Sequence, residues 1–209
     1  MFYEPSAGHP LPRNPFKALV VPRPIGWIST VSADGVRNLS PYSFFNAVSD
    51  APPMVMFASN GRHPTGAKDS ARNAEATGEF VFNMATWDLR DAMNASSVTA
   101  GPEVDEFEVA KLTPVPSRMV KAPRVEEAVA NFECRTVQVV RLRAEEGGEN
   151  IVVFGEVVGI HIAERVMTDG FVDMAKVAPI ARLGYRDYAV VRETFAMDRP
   201  AGGDSAIGM

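Results

Sequence analysis

The stretch IGWISTVSADGVRNL, residues 25–39, decides the fold, because it holds a strand, a turn signal and the start of a second strand. Its first part, Ile25 to Ser32, is rich in the β-branched residues that strands favour. The Asp34-Gly35 pair predicts a tight hairpin, since both central turn positions can take positive φ. The chain therefore begins with antiparallel β structure.

Further apolar runs have the length of strands, and a few segments between them have helical character. The runs are Pro53 to Ser59, Glu79 to Ala85, Asn131 to Leu142, Asn150 to Ile162 and Ile180 to Val191. Helices are predicted over Ala67 to Thr77, capped by Thr65 and stopped by Gly78, from Thr86 with Trp87, Leu89 and Met93, and from Asp105 to Lys111. Many strands without βαβ alternation predict a mainly β protein, a closed antiparallel barrel with peripheral helices.

The run from Asn150 to Ile162 alternates in a way that assigns each residue to one of two faces. The predicted core face consists of Val152, Phe154, Val158, Ile160 and Ile162, together with Glu156. The opposite face holds Gly155 and Gly159, whose missing side chains let another group approach the strand closely.

Size and composition indicate one domain in a chain of 209 residues that is 46% hydrophobic. We expect an extended arm over residues 1–15, a domain over 16–195 and a tail over 196–209.

A net charge of −5 argues against a nucleic-acid partner. The first 15 residues lack a signal-peptide core, and no apolar run could span a membrane, so we expect a soluble, cytoplasmic protein. Cys134 is the only cysteine, which fits a reducing compartment and a buried structural role.

Several common enzyme classes are disfavoured because their motifs are missing. The sequence holds no G-x-S-x-G elbow and no G-x-G-x-x-G loop. His9, His63 and His161 stand apart from any ligand spacing typical of a metal site, so no metal is predicted. A structural role is the favoured interpretation of His161, whereas His63 is left open because of its position before a helix.

The segment SNGRHPTGAKDS, residues 59–70, has the chemistry of an anion cradle. Free N–H groups at a helix start, hydroxyls and the cations Arg62 and Lys68 are what a phosphate monoester needs. The segment nearly matches a P-loop, but Ala67 stands where that motif requires lysine, so a nucleotide triphosphatase is disfavoured. The alternative interpretation is an ordinary capped helix with a solvated charged turn.

The segment NLSPYSFFN, residues 38–46, alternates polar groups with aromatic rings. A flat heteroaromatic ring takes hydrogen bonds at its edges and apolar contacts on its faces. Taken alone, the segment also fits a half-buried edge strand with aromatic core residues.

These segments together resemble the flavin reductase family with the FMN-binding split-barrel fold, in its flavoredoxin-like branch. The motifs that carry the resemblance are PRPIGWIST (22–30), Asp34-Gly35, NLSPYSFF (38–45), Pro52-Pro53, Lys68-Asp69-Ser70 and RLGYRDY (182–188). The resemblance implies a six-stranded split barrel, a homodimer and one FMN per subunit. It implies phosphate contacts from Ser59, Arg62, Lys68, Asp69 and Ser70. It implies ring contacts from Trp27, Ile28, Ser29, Thr30, Asn38, Ser40, Ser43, Phe44, Phe45 and Asn46.

The activity implied by the resemblance is hydride transfer from NADH or NADPH to flavin N5, in which the protein aligns the rings and no catalytic acid or base is assigned. Two-component flavin reductases carry a histidine near the C-terminal glycine, where this chain has Tyr185 and Tyr188 after Gly184. One alternative is therefore a flavoredoxin-like electron carrier that retains FMN and serves a protein or metal-complex partner. A monooxygenase is another possible partner, and a non-redox ligand-binding barrel is the third interpretation.

Overall fold

Strands carry most of the regular structure in the computed structural model, which describes residues 1–61, 68–146, 148–198 and 200. They are β1 (Arg23–Pro24), β2 (Gly26–Val31), β3 (Arg37–Tyr42), β4 (Phe45–Asp50), β5 (Pro53–Gly61), β6 (Glu79–Met84), β7 (Pro114–Val115), β8 (Arg124–Val125), β9 (Ala130–Leu142), β10 (Glu149–Ile162), β11 (Met167–Thr168), β12 (Phe171–Val172), β13 (Ile180–Arg182) and β14 (Tyr188–Val190). The helices are α1 (Phe16–Leu19), α2 (Asp69–Thr77), α3 (Arg90–Ala95), α4 (Glu106–Ala110) and α5 (Met174–Val177).

Seven strands form one antiparallel sheet in the order β3-β2-β6-β9-β10-β5-β4. The predicted mainly β, antiparallel barrel class is confirmed, with seven strands in the main sheet instead of six. The two edge strands, β3 and β4, are not paired with each other within the described residues. The barrel is therefore open along this seam, and the expectation of a closed barrel is wrong. A smaller sheet, β1-β13-β14, joins the beginning of the domain to its end.

The barrel interior is one apolar cluster to which all seven strands and α2 contribute. It contains Ile28, Tyr42, Phe45, Val55, Phe57, Phe80, Phe82, Cys134, Ile151 and Val153, with Ala71 and Ala74 from α2. Cys134 is fully buried there, and desolvation raises the pKa of its thiol well above the usual range. The prediction that this cysteine is a buried structural residue is confirmed.

The β2–β3 hairpin forms where the sequence predicts it, but its turn differs in type. Gly35 alone of the Asp34-Gly35 pair takes a positive φ, at 87°. The amide of Gly35 donates to the carbonyl of Ser32 at 3.0 Å, and the amide of Ser32 donates to the carbonyl of Val36 at 2.9 Å. This is a longer loop that ends on a left-handed glycine, so the expectation of two positive φ angles is wrong.

The predicted core face of β10 is also wrong. Ile160 and Ile162 are 55% and 46% exposed, whereas Ile151 and Val153, on the other face, are 2% and 0% exposed. Register shifts between Phe154 and Gly155 and again between Val157 and Gly159 break the simple alternation. Both faces are apolar in sequence, so hydrophobicity alone could not choose between them.

Close approach to the glycine face of β10 is confirmed at Gly155. A Cβ placed on Gly155 would lie 2.4 Å from the ring of Phe80, so this aromatic side chain fills the space that the glycine leaves. Glycine is required here because the ring of a core residue packs directly on the strand backbone.

The helices lie near their predicted positions, with different starts. The helix predicted from Ala67 begins at Asp69 and ends, as predicted, on left-handed Gly78 with φ 74°. The proposed cap Thr65 lies outside the described residues. The helix predicted from Thr86 begins at Arg90, because Thr86 pairs with Pro179 in an isolated β-bridge. Trp87 and Leu89 therefore precede the helix, and only Met93 of the three predicted residues lies within it.

The helix predicted near residue 105 is confirmed, and the last predicted strand is corrected. Within Asp105 to Lys111 the helix is α4, and the Asp105 carboxylate caps it by accepting from the Phe107 amide at 2.9 Å. The single strand predicted from Ile180 to Val191 is instead the pair β13 and β14. The turn between them contains Tyr185 with a φ of 54°. No helix of the described residues combines the length and apolar character needed to cross a membrane.

Candidate functional site

The first two turns of α2 lie against β3 and β2, joined by side-chain hydrogen bonds. Ser70 Oγ donates to Asn38 Oδ1 at 2.6 Å, and Asn73 Nδ2 donates to Thr30 Oγ1 at 3.1 Å. Asn38 Nδ2 in turn donates to the buried Glu106 carboxylate at 2.9 Å. The structure thus brings together three predicted site residues, Thr30, Asn38 and Ser70, although they come from different parts of the sequence.

A small cavity of about 50 Å³ opens beside these bonds. Its lining includes the predicted phosphate contacts Lys68, Asp69 and Ser70, together with Tyr42. Asn38 and Ser40, which were predicted to contact the ring, line this cavity too and not the one at Ser43 to Asn46. The cavity has room for a few water molecules, which is also the scale of a phosphate group. Hydroxyl groups and a lysine therefore converge on a space of the right size for a small anion.

Lys68 brings positive charge to this cavity. Its pKa is lowered, first because burial disfavours the charged amine and second because Lys17 is nearby. Its Nζ lies 5.6 Å from the centroid of the Tyr42 ring. None of the ion pairs among the described residues involves Lys68. The carboxylates in the same lining are Asp69, paired with Arg72, and Glu106, bonded to Asn38. A half-buried ammonium with no ion pair among the described residues, next to a second lysine, is a favourable place for an anion.

Tyr42 contributes a hydroxyl that was not among the predicted contacts. The residue is 4% exposed, and its Oη lacks a hydrogen-bond partner of good geometry among the described residues. Burial raises the pKa of Tyr42 to about 12, and this effect exceeds the opposing influence of the nearby Ser70 and Ser40 hydroxyls. A buried phenol that needs a partner, beside a lysine that has no ion pair among the described residues, fits a ligand oxygen. The sequence could have indicated Tyr42 as a contact, because it lies within the candidate segment 38–46.

Asp69 has a different position from the other cradle residues. Its carboxylate is bound by the guanidinium of Arg72, three residues along the same helix. The pair largely neutralises the acid, and Asp69 occupies the first turn of α2, where a helix stabilises negative charge. Its backbone amide, with that of Ser70, belongs to the free N–H groups of a helix start.

A second, mostly apolar cavity of about 210 Å³ lies along the link between β3 and β4. Predicted ring contacts Ser43, Phe44, Phe45 and Asn46 line it, together with Lys17 and Arg23. Lys17 Nζ and the Arg23 guanidinium carbon each lie 5.9 Å from the centroid of the Phe44 ring. Four predicted ring residues are therefore brought together at a surface with cationic edges.

The segment is fixed in place from two sides. Phe45 stacks on Phe82 with 4.7 Å between ring centroids, and a Cβ on Gly26 would lie 2.4 Å from the Phe45 ring. Arg23 donates to the Leu183 carbonyl at 3.0 Å and to the carbonyls of Lys17 and Val20. These bonds tie α1 and the C-terminal turn to the same cavity.

Other predicted contacts lie inside the protein. Trp27, Ile28 and Ser29 are all 0% exposed. The Trp27 indole donates to Ser96 Oγ at 2.9 Å, and Ser29 Oγ donates to the Pro123 carbonyl at 2.5 Å. The structure does not bring these three side chains to either cavity. Their contacts to a ligand stay a prediction.

The last two phosphate predictions adjoin the part of the chain that is not described. Ser59 is 4% exposed in β5 and pairs with Ile151 of β10, two residues before the described segment ends at Gly61. Arg62 lies outside the described residues. Both residues stay predictions for the cradle.

Comparison with known proteins gives a consistent result. The model of the family described as flavin reductase like domain matches residues 18–179. An uncharacterized protein of Aquifex aeolicus is 42% identical over 171 residues, which are 81% of this chain and 85% of that protein. The crystal structure of nitrilotriacetate monooxygenase component B from Bacillus cereus has a TM-score of 0.85 at 31% identity and covers 94% of this chain and 98% of its own.

A more distant structure shows the same fold. Flavoredoxin of Desulfovibrio vulgaris (Miyazaki F) has a TM-score of 0.74 at 22% identity, covering 88% of this chain and 94% of its own.

Proposed function

Because the chain belongs to the flavin reductase like family, we propose that it is an FMN-dependent oxidoreductase that passes hydride from NADH or NADPH to flavin N5. The observation that carries the proposal is the small cavity in which the Tyr42 hydroxyl and the Lys68 ammonium lie without partners among the described residues. Both groups need an oxygen acceptor or a negative charge. A phosphate monoester provides both.

The chemistry of the cavity favours FMN over the other flavins. Ser40 and Tyr42 offer hydroxyls, Lys68 offers a charge, and the start of α2 offers backbone amides. Riboflavin lacks the phosphate that these groups would hold. FAD would need a second phosphate site, and we assign none.

The ring of the cofactor is assigned to the cavity at Ser43 to Asn46. Bound FMN would supply an acceptor for two electrons at the edge of its ring system. Phe44 offers an apolar face to a flat ring, and Phe45, held by Phe82 and Gly26, keeps the segment in one position. The mostly apolar lining would limit the access of water to the region in which hydride would move. The role of this chain is alignment, so we assign no acid or base.

The direct test is a steady-state assay of NADH and NADPH oxidation with free FMN as acceptor. Turnover with either nucleotide at substoichiometric protein supports the reductase proposal. The purified protein should also be yellow, and mass spectrometry of acid-released cofactor should give the mass of FMN. FAD as the only flavin, or no flavin after reconstitution, would contradict the cofactor assignment.

A flavoredoxin-like electron carrier is the second candidate, and the C-terminal turn favours it. In place of a histidine, the chain has Tyr185 in the turn and Tyr188 at the start of β14. Arg182 donates to the Tyr185 carbonyl and, at 2.6 Å, to the Tyr188 hydroxyl. A carrier would keep FMN and exchange electrons with a protein or metal complex. A bound flavin that can be reduced, in a protein that does not turn over NADH or NADPH, would identify the carrier. A colourless protein that binds another aromatic phosphate would identify a non-redox barrel.

A macromolecular partner and a second copy are part of the same proposal. Similarity to a monooxygenase component supports a monooxygenase that consumes the reduced flavin. A homodimer is supported by the apolar surface around a cavity of about 540 Å³, lined by residues that include Phe16, Phe44, Met56, Val152 and Phe154. A second copy would cover this surface, which adjoins the assigned ring cavity through Phe16, Phe44 and Met56.

A further inference from the structure

A separate cavity of about 310 Å³ lies between α3 and β14. Its apolar lining includes Met93 and Ile180, which are 2% and 6% exposed, and Val190 of β14. None of its lining residues lines either cavity assigned to the flavin. The volume falls at the lower end of the range of small-molecule sites.

Two aromatic side chains lie at the opening of this cavity. Trp87 and Tyr188 are 39% and 40% exposed, although each has an apolar ring that burial would stabilise. They come from separate parts of the chain, since one precedes α3 and the other begins β14. A flat apolar ligand between these elements would contact both.

Arginine side chains surround the same two rings. The guanidinium carbons of Arg90 and Arg192 lie 4.2 Å and 5.2 Å from the centroid of the Trp87 ring. The guanidinium of Arg182 lies 4.6 Å from the Tyr188 ring. Arg182 donates to the Tyr188 hydroxyl and the Tyr185 carbonyl, whereas Arg192 donates no hydrogen bond among the described residues. The N–H groups of Arg192 are therefore the ones that could meet an anion at the edge of a ring.

The arginines at and near the cavity differ in their partners. Arg90 donates to the Trp87 carbonyl at 2.7 Å and pairs with the exposed carboxylate of Asp91 at 3.4 Å. Arg192 and Arg182 take part in no ion pair among the described residues. Arg182 and Arg192 thus add positive charge beside the Arg90–Asp91 pair. A ligand that fits must be apolar in its body and negative at one end.

We propose that this cavity is a second small-molecule site, which binds a planar aromatic carboxylate. The ring lies against Met93 and Ile180 and beside Trp87 and Tyr188, and the carboxylate meets Arg192. Carboxylate geometry matches the fork of a guanidinium, so the arginine favours this anion over a neutral analogue of the same shape. The proposal is independent of which redox reaction the flavin site performs.

The test is isothermal titration of 2-naphthoate into the full-length protein saturated with FMN. We expect one equivalent to bind, and 2-naphthalenemethanol, which has the same rings without the charge, to bind roughly 10-fold more weakly. Arg192→Gln should weaken 2-naphthoate by a similar factor and leave the neutral analogue unchanged. Arg141→Gln is the matched control, because Arg141 is an exposed arginine paired with Glu75 elsewhere on the protein.

Four outcomes would overturn the proposal. The first is no binding of 2-naphthoate to the FMN-saturated protein, and the second is equal affinity in the parent and Arg192→Gln. The third is displacement of FMN by 2-naphthoate, which would place the acid in the flavin site. The fourth is binding only after residues 201–209 are deleted, since the end of the chain itself would then be the occupant. Circular dichroism of each variant checks that its fold is retained.

Discussion

Ser70 Oγ donates a 2.6 Å hydrogen bond to Asn38 Oδ1, and this bond fixes the first turn of α2 against β3. Because Asn38 is also held by Glu106, its amide cannot rotate freely toward a ligand. The Ser70 hydroxyl uses its hydrogen in this bond and keeps its lone pairs. Ser70 and Asn38 therefore build the wall of the cavity, whereas the donors of Lys68 and Tyr42 have no acceptor of good geometry in the described part of the chain.

Replacing Lys68 by alanine should weaken FMN binding about 10- to 150-fold, the effect of losing one charge-assisted hydrogen bond worth roughly 1.5–3 kcal/mol. Riboflavin should bind the variant and the parent almost equally, because it has no phosphate. Fluorescence quenching of both flavins on apo-protein measures the two affinities.

Lys121→Ala is the matched control for this experiment, since Lys121 is an exposed lysine outside both cavities. It should leave both affinities unchanged. Loss of both flavins in Lys68→Ala would indicate a damaged fold, and an unchanged FMN affinity would remove Lys68 from the site.

Tyr42→Phe should separate ligand binding from stability. The phenyl ring keeps its contact with Phe57, whose centroid lies 5.0 Å away, and only the hydroxyl is lost. A buried hydroxyl without a partner costs about 1–3 kcal/mol, so the apo variant should be slightly more stable than the parent. FMN affinity should fall by roughly 5- to 10-fold, the effect of about 1 kcal/mol. Urea unfolding and flavin titration measure the two quantities. A less stable apo variant with unchanged FMN affinity would show that the hydroxyl has a structural partner.

The cradle is easier to propose from the sequence than the ring contacts are, for a physical reason. Ser59 to Ser70 is contiguous, so the chemistry of a helix start is visible in a single segment. The roles of Trp27 and Ser29, in contrast, depend on which residues their side chains contact in the folded protein. Their partners are Ser96 and Pro123, about 70 and 90 residues away along the chain, in the least regular part of the sequence. Local pattern carries no information on such contacts.

Strand faces show the same limit. A period of two can assign the residues of β10 to two faces but cannot choose the core face when both are apolar. The bulges after Phe154 and Val157 depend on the pairing of β10 with β9. The close contact at Gly155 depends on where Phe80 of another strand lies. The glycine in the sequence indicates a close approach by another group, but only the fold shows that this group is the Phe80 ring.

Gly155→Ala should destabilise the protein by about 1–3 kcal/mol, because the new methyl group would lie 2.4 Å from the Phe80 ring. Gly159→Ala is the matched control on the same strand, since its nearest neighbours would be 3.5 Å from the new Cβ, an ordinary contact. Chemical unfolding measures both variants. Equal stabilities would show that the barrel interior accommodates the methyl group without strain.

The homodimer proposal predicts that a charge on the apolar surface separates the subunits. Phe154 lines the 540 Å³ cavity on the outer side of β10, so Phe154→Glu should shift the mass measured by light scattering from dimer to monomer at micromolar concentration. Phe171→Glu is the matched control, because Phe171 is 77% exposed in the separate β11–β12 hairpin. A monomeric parent in the FMN-bound state would contradict the proposal.

Glu133 provides a prediction on acid stability, because it is a fully buried carboxylate that holds a loop. It accepts hydrogen bonds from the amides of Arg118, Met119 and Val120, and its other contact is His161 Nε2 at 2.5 Å. Burial acts to raise the pKa of Glu133, but the hydrogen bonds from the three amides and from His161 outweigh it. The pKa of Glu133 is therefore lower than the ordinary value of 4.5. The contact also gives His161 the structural role that the sequence favoured.

A carboxyl group with a depressed folded-state pKa stabilises the fold fully above its ordinary pKa and loses that contribution as the pH falls through the folded value. Glu133→Gln keeps the shape but removes the charge, so it should cost about 2–4 kcal/mol at neutral pH. Below pH 4.5 the parent should lose stability faster than the variant, and the gap between them should narrow. Urea unfolding from pH 3 to 8 measures this gap, with the exposed Glu193→Gln as the matched control. A gap that is constant with pH would show that Glu133 holds the loop through hydrogen bonds without any contribution from its charge.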